Sequence, residues 1–443
     1  MFENVPARPW VTLLILFTVL LPALATYWIS YRQQLSVPYQ DDYAVVLAFA
    51  ANYDRLPTLR AKVLDIATEQ VNEYKLAFAH SIIASEMETT RHVNFVVLTT
   101  LGNLFLLPIG YLLWLTYQED GIGLNRRLIE FLPISFLFFS LTYWPNLNWT
   151  TTGLVNNPIV LFSLLSIFLL LPRKTGELTR ARLLLACLAA AVAAFTSANG
   201  FLLAPVGLLI LLPRRNYARS LAWCASFVLP FAAYLYHYAL PVHPKVSASY
   251  ITRPLFFLAF LGCGAIPYRW PAAVLGLLIL GILWLAVRSR FDRANPVAFY
   301  FMVWIVATAL LVGWVRGAGG FEIGSRYSIY SLLLLIFCYS FLAQYLPNRW
   351  PAFNRKRFYA ACLALSVSIC FLADVHAYKK LSARRQMVLA GIEFYRANPG
   401  SNTPVNDPNL AQGFERERVY ERDTLTKAIR QHVYTLPPTQ EPH

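Results

Sequence analysis

The sequence predicts an all-α polytopic membrane protein with about eleven transmembrane helices. Two observations carry that prediction. Of 443 residues 57% are hydrophobic and only 14% are charged, with a mean hydropathy of +0.47, so bilayer spans rather than soluble domains are the unit to count. The formal charge of +15 is not gathered into one basic run, and no nucleic-acid partner is expected. It punctuates the apolar segments instead. Arg126-Arg127, Arg173-Lys174 with Arg180 and Arg182, Arg214-Arg215, Arg288 with Arg290, and Arg355-Lys356-Arg357 each occupy a short polar connection, the distribution of cytoplasmic loops.

The first span is Trp10 to Ser30, too long for a signal-peptide core and without a small-residue cleavage site before Tyr31. Tyr31 to His92 follows as a polar interruption in which Leu76, Ile82, Ile83 and Met87 recur at helical spacing among charges, predicting interfacial helices in a first external loop over 31–92. Val93 to Tyr117 crosses next. Its exit loop carries Arg126 and Arg127, so that loop is cytoplasmic and the earlier pair Asp41-Asp42 is external.

Leu128 to Tyr143 returns outward to Trp144-Pro145-Asn146-Leu147-Asn148-Trp149, an aromatic, amide-rich turn that suits both an interface anchor and a sugar platform. Leu154 to Leu171 runs in, Leu183 to Phe195 out, and Phe201 to Leu212 back in. The last two are short. Asn199, in the turn between them, lies either within the membrane thickness lining a cavity or in a loop-capping Asn-Gly turn.

Leu221 to Leu240 leads out to a loop over Pro241 to Pro254. Leu255 to Ile266, at 12 residues, is too short to cross, and counting it would expel Arg288, Arg290 and Arg293. A re-entrant or interfacial segment is expected there. Ala272 to Val287, Val297 to Val315, Arg326 to Tyr345 and Phe358 to Asp374 complete the spans. The organisation is thus a membrane domain over 1–376 and an external tail over 377–443 that packs on the external face or frays.

Motifs exclude several classes. No Walker loop, nucleophile elbow or HExxH is present, which argues against an ATP-driven pump, a serine hydrolase or a zinc protease. The six cysteines all lie in apolar segments without metal-ligand spacing and read as buried small hydrophobes.

The chemistry gathers on the external side, around Asp41 and Asp42. Adjacent ionised carboxylates repel, so they need a cation, a hydrogen-bond cage or a raised pKa, unless they are simply a solvated helix cap. Glu73, Lys75, His80, Glu86, Glu88, Arg91, Asn146, Asn148, Trp149, Asn199, Arg316, Glu322 and Arg326 share that side. Ionisable groups at a bilayer edge are costly and mark functional sites by default. Together they could move a group from a phosphate-linked lipid to a hydroxyl. One carboxylate deprotonates the acceptor, while Arg, Lys or a hard divalent cation neutralises the leaving phosphate. Arg326, beside Tyr327 at a helix mouth, is the clamp candidate, with a snorkelling arginine as the other reading. Asn72-Glu73-Tyr74-Lys75 supplies a second acid and a base, or a solvated charge pair. Asp42 and Glu73 are the candidate ligands for Mg²⁺ or Mn²⁺. His80 and His92, 12 apart with no third imidazole at metal spacing, are not taken as ligands.

This order of features resembles the GT-C class of integral-membrane glycosyltransferases: one span, an external loop opening on an acidic pair, two interfacial helices, then many spans. More narrowly it is similar to bacterial multi-span proteins with an Asn-Glu-His-Arg-like element, here Asn72 to Lys75, in which Tyr74 and Lys75 replace His and Arg. Further matches are a Trp-x-Asn-x-x-Trp-like turn at Trp144 to Trp149, Ser-Ala-Asn-Gly at Ser197 to Gly200, and Ser-Arg-Tyr at Ser325 to Tyr327. The likeness spans most of the chain. It implies inverting transfer of a sugar from a polyprenyl-phosphate donor to a glycan, lipid or protein acceptor, with Asp41 as base, Asp42 as partner and Glu73 next. Lys75, Asn146, Asn148, Trp149, Asn199, Arg316, Arg326 and Tyr327 are the expected substrate-binding set. It also implies the bacterial inner membrane, with the N-terminus cytoplasmic and the active site and C-terminus periplasmic. The competing classes are a lipid or glycan translocase or transporter, disfavoured by the lack of evident inverted repeats and mid-span charges, and a structural subunit of an envelope assembly.

Overall fold

The computed structural model describes residues 9–117, 123–171, 178–240, 251–317, 323–350, 352–398 and 415–438. Among them the chain is helical apart from one two-stranded hairpin. The order is α1 (Pro9–Gln33), a π-helix (Tyr43–Ala48), α2 (Phe49–Tyr53), α3 (Leu59–Thr68), β1 (Gln70–Val71), β2 (Tyr74–Lys75), α4 (Ala77–Thr90), α5 (Phe95–Leu104) and α6 (Leu106–Thr116). Then come α7 (Leu124–Phe138), α8 (Trp144–Asn148), α9 (Thr150–Leu170), α10 (Arg180–Thr196), α11 (Leu203–Leu211), α12 (Tyr217–Ala225) and α13 (Val228–Leu235). The chain closes with α14 (Thr252–Gly262), α15 (Arg269–Arg288), α16 (Phe291–Ala294), α17 (Pro296–Arg316), α18 (Ser328–Arg349), α19 (Arg355–Ala397) and α20 (Glu415–Arg430).

Nine helical stretches among the described residues are long and apolar enough to cross a bilayer: 9–33, 95–116, 124–148, 150–170, 217–235, 269–288, 296–316, 325–349 and 355–397. The other two expected crossings, 183–195 and 201–212, correspond to the shorter α10 and α11. Which face of a span meets lipid follows from its sequence. In α1 the buried residues Val19, Ala23, Thr26 and Ser30 recur every three to four positions, while Leu13, Leu14, Phe17, Leu20 and Leu24 are exposed. Exposed leucines in place of charges are what a lipid solvent selects.

Small residues let helices close on one another where hydrophobicity supplies no drive. In α15 the bundle-facing residues are Ala272, Ala273, Gly276 and Ile279, and a Cβ on Gly276 would overlap the Leu258 carbonyl of α14. Because the obstacle is backbone, Gly276→Ala is expected to cost about 1–3 kcal/mol, the overpacking range. A thermal melt of the purified variant in detergent checks this; an unchanged midpoint would refute the packing argument.

The bundle has two distinct ends. At one, Thr12 on α1 bonds Asn125 at 2.7 Å, Arg182 donates to the Phe168 carbonyl at 2.9 Å, and Asn295 to the Thr116 carbonyl at 3.0 Å. The alternating direction of the helices brings the basic connections around Arg126, Arg182, Arg214, Arg290 and Arg355 to this same end. At the other end lie the residues between α1 and α5, the α7–α9 connection and the C-termini of α13 and α17. The residues 241–250, within the expected loop after α13, are outside the described residues. α14 keeps to this second end: a Cβ on Gly317 would meet the Arg253 Cα, and Phe260 lies 5.5 Å from the Tyr327 ring. Eleven residues long, it spans only about 17 Å, roughly half the hydrocarbon thickness.

The described part of the tail has no separate core. Val388 and Ile392 of α19, Leu425 and Ala428 of α20, and Val433 and Tyr434 pack with Val46, Phe49, Ile83 and Val93 in a second hydrophobic cluster. The Val93 amide donates to the Val433 carbonyl at 2.8 Å, and the Tyr434 hydroxyl to the Ser36 carbonyl at 2.6 Å. α19 runs unbroken through 376–377, so the domain boundary expected there falls inside one helix. Loop and tail pack together as one cap at this second end.

Candidate active site at one end of the bundle

The acidic pair splits into two roles. Asp42, 1% exposed, was expected either to cap its own helix or to work beside Asp41. It caps a different helix. Its Oδ1 accepts from the Thr151 amide at 2.8 Å and the Thr151 hydroxyl at 2.5 Å, and its Oδ2 accepts from the Tyr39 amide at 3.1 Å. A carboxylate at the first turn of α9 satisfies an amide that has no partner within that helix. Burial pushes the Asp42 carboxyl up to about 7 against the pull of those bonds.

Asp41 is half-buried, and among the described residues no hydrogen bond uses its carboxylate. Burial raises its pKa, Arg326 and then Arg316 lower it, and Glu73 raises it. Those three charged residues therefore converge on Asp41 from α17, the start of α18 and the hairpin. Both the Ala44 and Val45 amides donate to the Asp41 carbonyl, at 3.1 and 2.8 Å, as the chain enters the π-helix, a backbone form that concentrates at functional sites.

The hairpin presents Glu73. Asn72, at φ 52°, turns the chain between β1 and β2. Arg316 pairs with Glu73 and donates to the Tyr74 hydroxyl at 2.9 Å, while Tyr234 of α13 donates to the Glu73 carbonyl at 2.6 Å. Burial pushes the Tyr74 hydroxyl up to about 12, so it stays protonated. Lys75 points away from this cluster. It is 3% exposed, and its ammonium donates to the Ala233 carbonyl at 3.2 Å and to the Tyr236 carbonyl, a C-terminal cap on α13. Lys75→Met should cost about 1–3 kcal/mol of stability by leaving those carbonyls unpaired, and lower activity only in proportion to folded protein. Melting curves beside specific activity check this; a larger fall in specific activity would return Lys75 to the substrate set.

Arg326 lies over two rings, its guanidinium carbon 5.7 Å from the Trp149 centroid and 5.3 Å from that of Tyr327. No carboxylate pairs with it among the described residues. Its carbonyl accepts from Asn146 at 3.0 Å, and Asn146 opens a buried chain. The Asn146 oxygen accepts from Asn156 at 3.3 Å, Tyr330 donates to Asn156 at 3.2 Å, and Asn199 donates to the Tyr330 hydroxyl at 3.5 Å.

Asn199 thus sits below the mouth. Trp304, twelve residues before Arg316 and so about 18 Å down α17, donates to the Asn199 carbonyl at 3.2 Å. A Cβ at Gly200 would overlap the Ala193 carbonyl, which is why the turn needs glycine. Asn146 and Asn199 therefore build the floor rather than the rim. Asn148 donates to the Ser30 carbonyl at 3.0 Å, and among the described residues neither its buried oxygen nor the buried indole N–H of Trp149, 6% exposed, has a partner.

Of the remaining polar residues, His80 is fully buried, stacked 4.2 Å from Phe49, and burial takes it down to about 3. Glu88 pairs with Lys62 at 2.5 Å and Arg91 at 3.7 Å. Glu86 accepts from the Asn94 amide at 3.3 Å. None of these is among the groups that act on the Asp41 carboxyl. Glu322 lies outside the described residues. Of the two expected Mg²⁺ or Mn²⁺ ligands, Asp42 accepts from Thr151 and Tyr39, and Glu73 pairs with Arg316. No group of three His, Cys, Asp or Glu converges among the described residues.

Thr151, Asn156, Tyr330 and Arg384 are site residues that the sequence did not single out. Arg384, on α19, lies 3.9 Å over the Tyr39 ring, and Tyr39 meets Trp149 edge-on at 5.4 Å. Only the run Thr150-Thr151-Thr152 at a helix start carried a readable signal, since orphan amides there attract an acid. The arrangement offers a carboxylate that burial makes a readier proton acceptor than usual, within electrostatic reach of two guanidiniums. No protein-family model, curated protein or solved structure matches the chain.

Proposed function

We propose that this is a bacterial inner-membrane glycosyltransferase of GT-C type that moves a sugar from a polyprenyl-phosphate donor to a glycan, lipid or protein acceptor. The observation that carries the reading is Asp41, half-buried, its carboxylate engaged in no hydrogen bond among the described residues and acted on by Arg326 and Arg316. The acceptor hydroxyl gives its proton to Asp41 as its oxygen bonds to the anomeric carbon. The sugar–phosphate bond breaks on the opposite face, inverting that carbon, and polyprenyl phosphate leaves with the bonding electrons. Arg326 and Arg316 meet its charge.

The site end is the periplasmic one in this reading, because the opposite end collects the basic connections. That orientation gives eleven spans, with α10 and α11 included, the N-terminus inside and the C-terminus outside. The exposed Leu59, Val63 and Leu64 of α3, at 77%, 56% and 46%, suit a helix lying in the lipid interface beside the donor's headgroup.

The test is transfer of radiolabelled sugar from a panel of polyprenyl-phosphate donors by purified protein in nanodiscs. Release of polyprenyl phosphate matched to labelled product supports the reading. Donor bound or moved across the bilayer but never consumed would replace it with the translocase.

A further inference from the structure

A concavity of about 500 Å³ lies on the cap between the end of α2 and the outward side of α20. The spacing of α20 explains it. Leu425 and Ala428, at 1% and 0% exposed, turn inward onto the core shared with the π-helix. One step around the helix, Arg422, Thr426, Lys427 and Arg430 turn into the cleft, opposite Arg55. Asp423 and Gln431 complete it.

Four cations thus share a cavity with one carboxylate, and Arg422 already holds that carboxylate at 2.8 Å. Lys427 donates to the Asn52 amide oxygen at 2.7 Å. Arg55, Lys427 and Arg430 have no carboxylate partner among the described residues. Like charges gathered this closely repel, and an anion relieves them.

The neutral lining says which anion. Among the described residues no apolar or aromatic residue lines the cleft, so it holds no pocket for an acyl chain or an apolar peptide anchor. Gln431 is spent within the protein, its amide oxygen accepting from Arg55 and its nitrogen donating to the Ala51 carbonyl at 3.3 Å. The Thr426 hydroxyl and the second oxygen of Asp423 offer a short donor and acceptor beside the charges, as hydroxyls next to an acid require. The volume falls in the range of small-ligand sites. We infer that this cleft binds an acidic glycan, one carrying uronate or phosphate groups among free hydroxyls, on the outer side of the cap. Only naming that glycan the acceptor rests on the transfer reading; the binding does not.

The test uses the full chain in nanodiscs of zwitterionic lipid. Fluorescent tetragalacturonate is expected to bind, more weakly as salt is added, while maltotetraose does not. The double variant Arg55→Gln/Arg430→Gln should weaken binding at least tenfold with an unchanged melting temperature, and Lys427→Gln alone should weaken it less. Asp41→Asn should bind as wild type does, so absent sugar transfer with intact binding refutes the transfer reading alone. Several outcomes would overturn the inference. They are equal binding of maltotetraose, no binding of tetragalacturonate, variants that bind as wild type, inorganic phosphate binding as tightly as the tetramer, and loss of binding in nanodiscs containing anionic lipid, which would assign the cleft to headgroups.

Discussion

Asp41→Asn is expected to lower sugar transfer by a factor of ~10²–10⁴, the range for removing a general base, with the fold intact. No hydrogen bond among the described residues depends on the Asp41 carboxylate, and asparagine keeps its shape. Asp42→Asn, one residue on, is expected to do the reverse. It puts an amide nitrogen against either the Thr151 or the Tyr39 N–H, where both oxygens now accept. That costs about 1–3 kcal/mol of stability. Transfer assays and melting curves on the two variants separate the roles. A stable Asp41→Asn protein that transfers at the wild-type rate would remove Asp41 from the chemistry and leave Glu73 as the acid to examine.

The pH profile carries a sharper version of the same argument. A base works deprotonated, so kcat/KM should fall as pH drops through the Asp41 pKa. Burial is the largest influence on that pKa and raises it, so the acid limb should lie above the ordinary carboxylate range near 4. Arg326 lowers it more than Arg316 does, and Glu73 raises it. Arg326→Gln should therefore move the limb upward, a displacement that partial unfolding does not produce.

What the sequence made legible was whatever depends on local period and composition. Lipid-facing spans announce themselves by leucine runs, and the basic connections sorted the ends because each arginine lies next to the span it terminates. The acidic pair, the Arg326-Tyr327 step and the Trp149 turn were visible as unusual residues. Their division of labour was not. Whether Asp41 or Asp42 meets Thr151 depends on the entry angle of a π-helix and on a helix start 109 positions away, and no local pattern encodes that. Lys75 read either as a base beside Glu73 or as half of a solvated charge pair, since both readings assume a lysine free in a polar loop. Its burial against the end of α13, 158 positions on, is a tertiary fact. Arg384 was hidden for a related reason, standing in a polar tail expected to pack on the external face or fray, with no local signal that this one arginine lies over the Tyr39 ring.

Arg326 is the residue whose loss should weigh most after Asp41. Its guanidinium rests on two aromatic faces without a carboxylate partner among the described residues, and its backbone is fixed by Asn146. It can therefore turn toward an arriving phosphate without first breaking an ion pair, whereas Arg316 must share Glu73. Arg326→Gln is expected to cost a factor of ~10²–10³ in kcat, as for other groups that stabilise charge developing in a transition state. Arg326→Lys should recover little of it, because an ammonium neither stacks as a plane nor donates in a fork. That comparison also decides between a clamp and an arginine that merely snorkels to the interface, where lysine serves as well. Measured on polyprenyl-phosphate sugar in nanodiscs, near wild-type turnover in Arg326→Lys would mean that the position only anchors α18 to the interface. The leaving phosphate would then have to be met by Arg316 and Arg384.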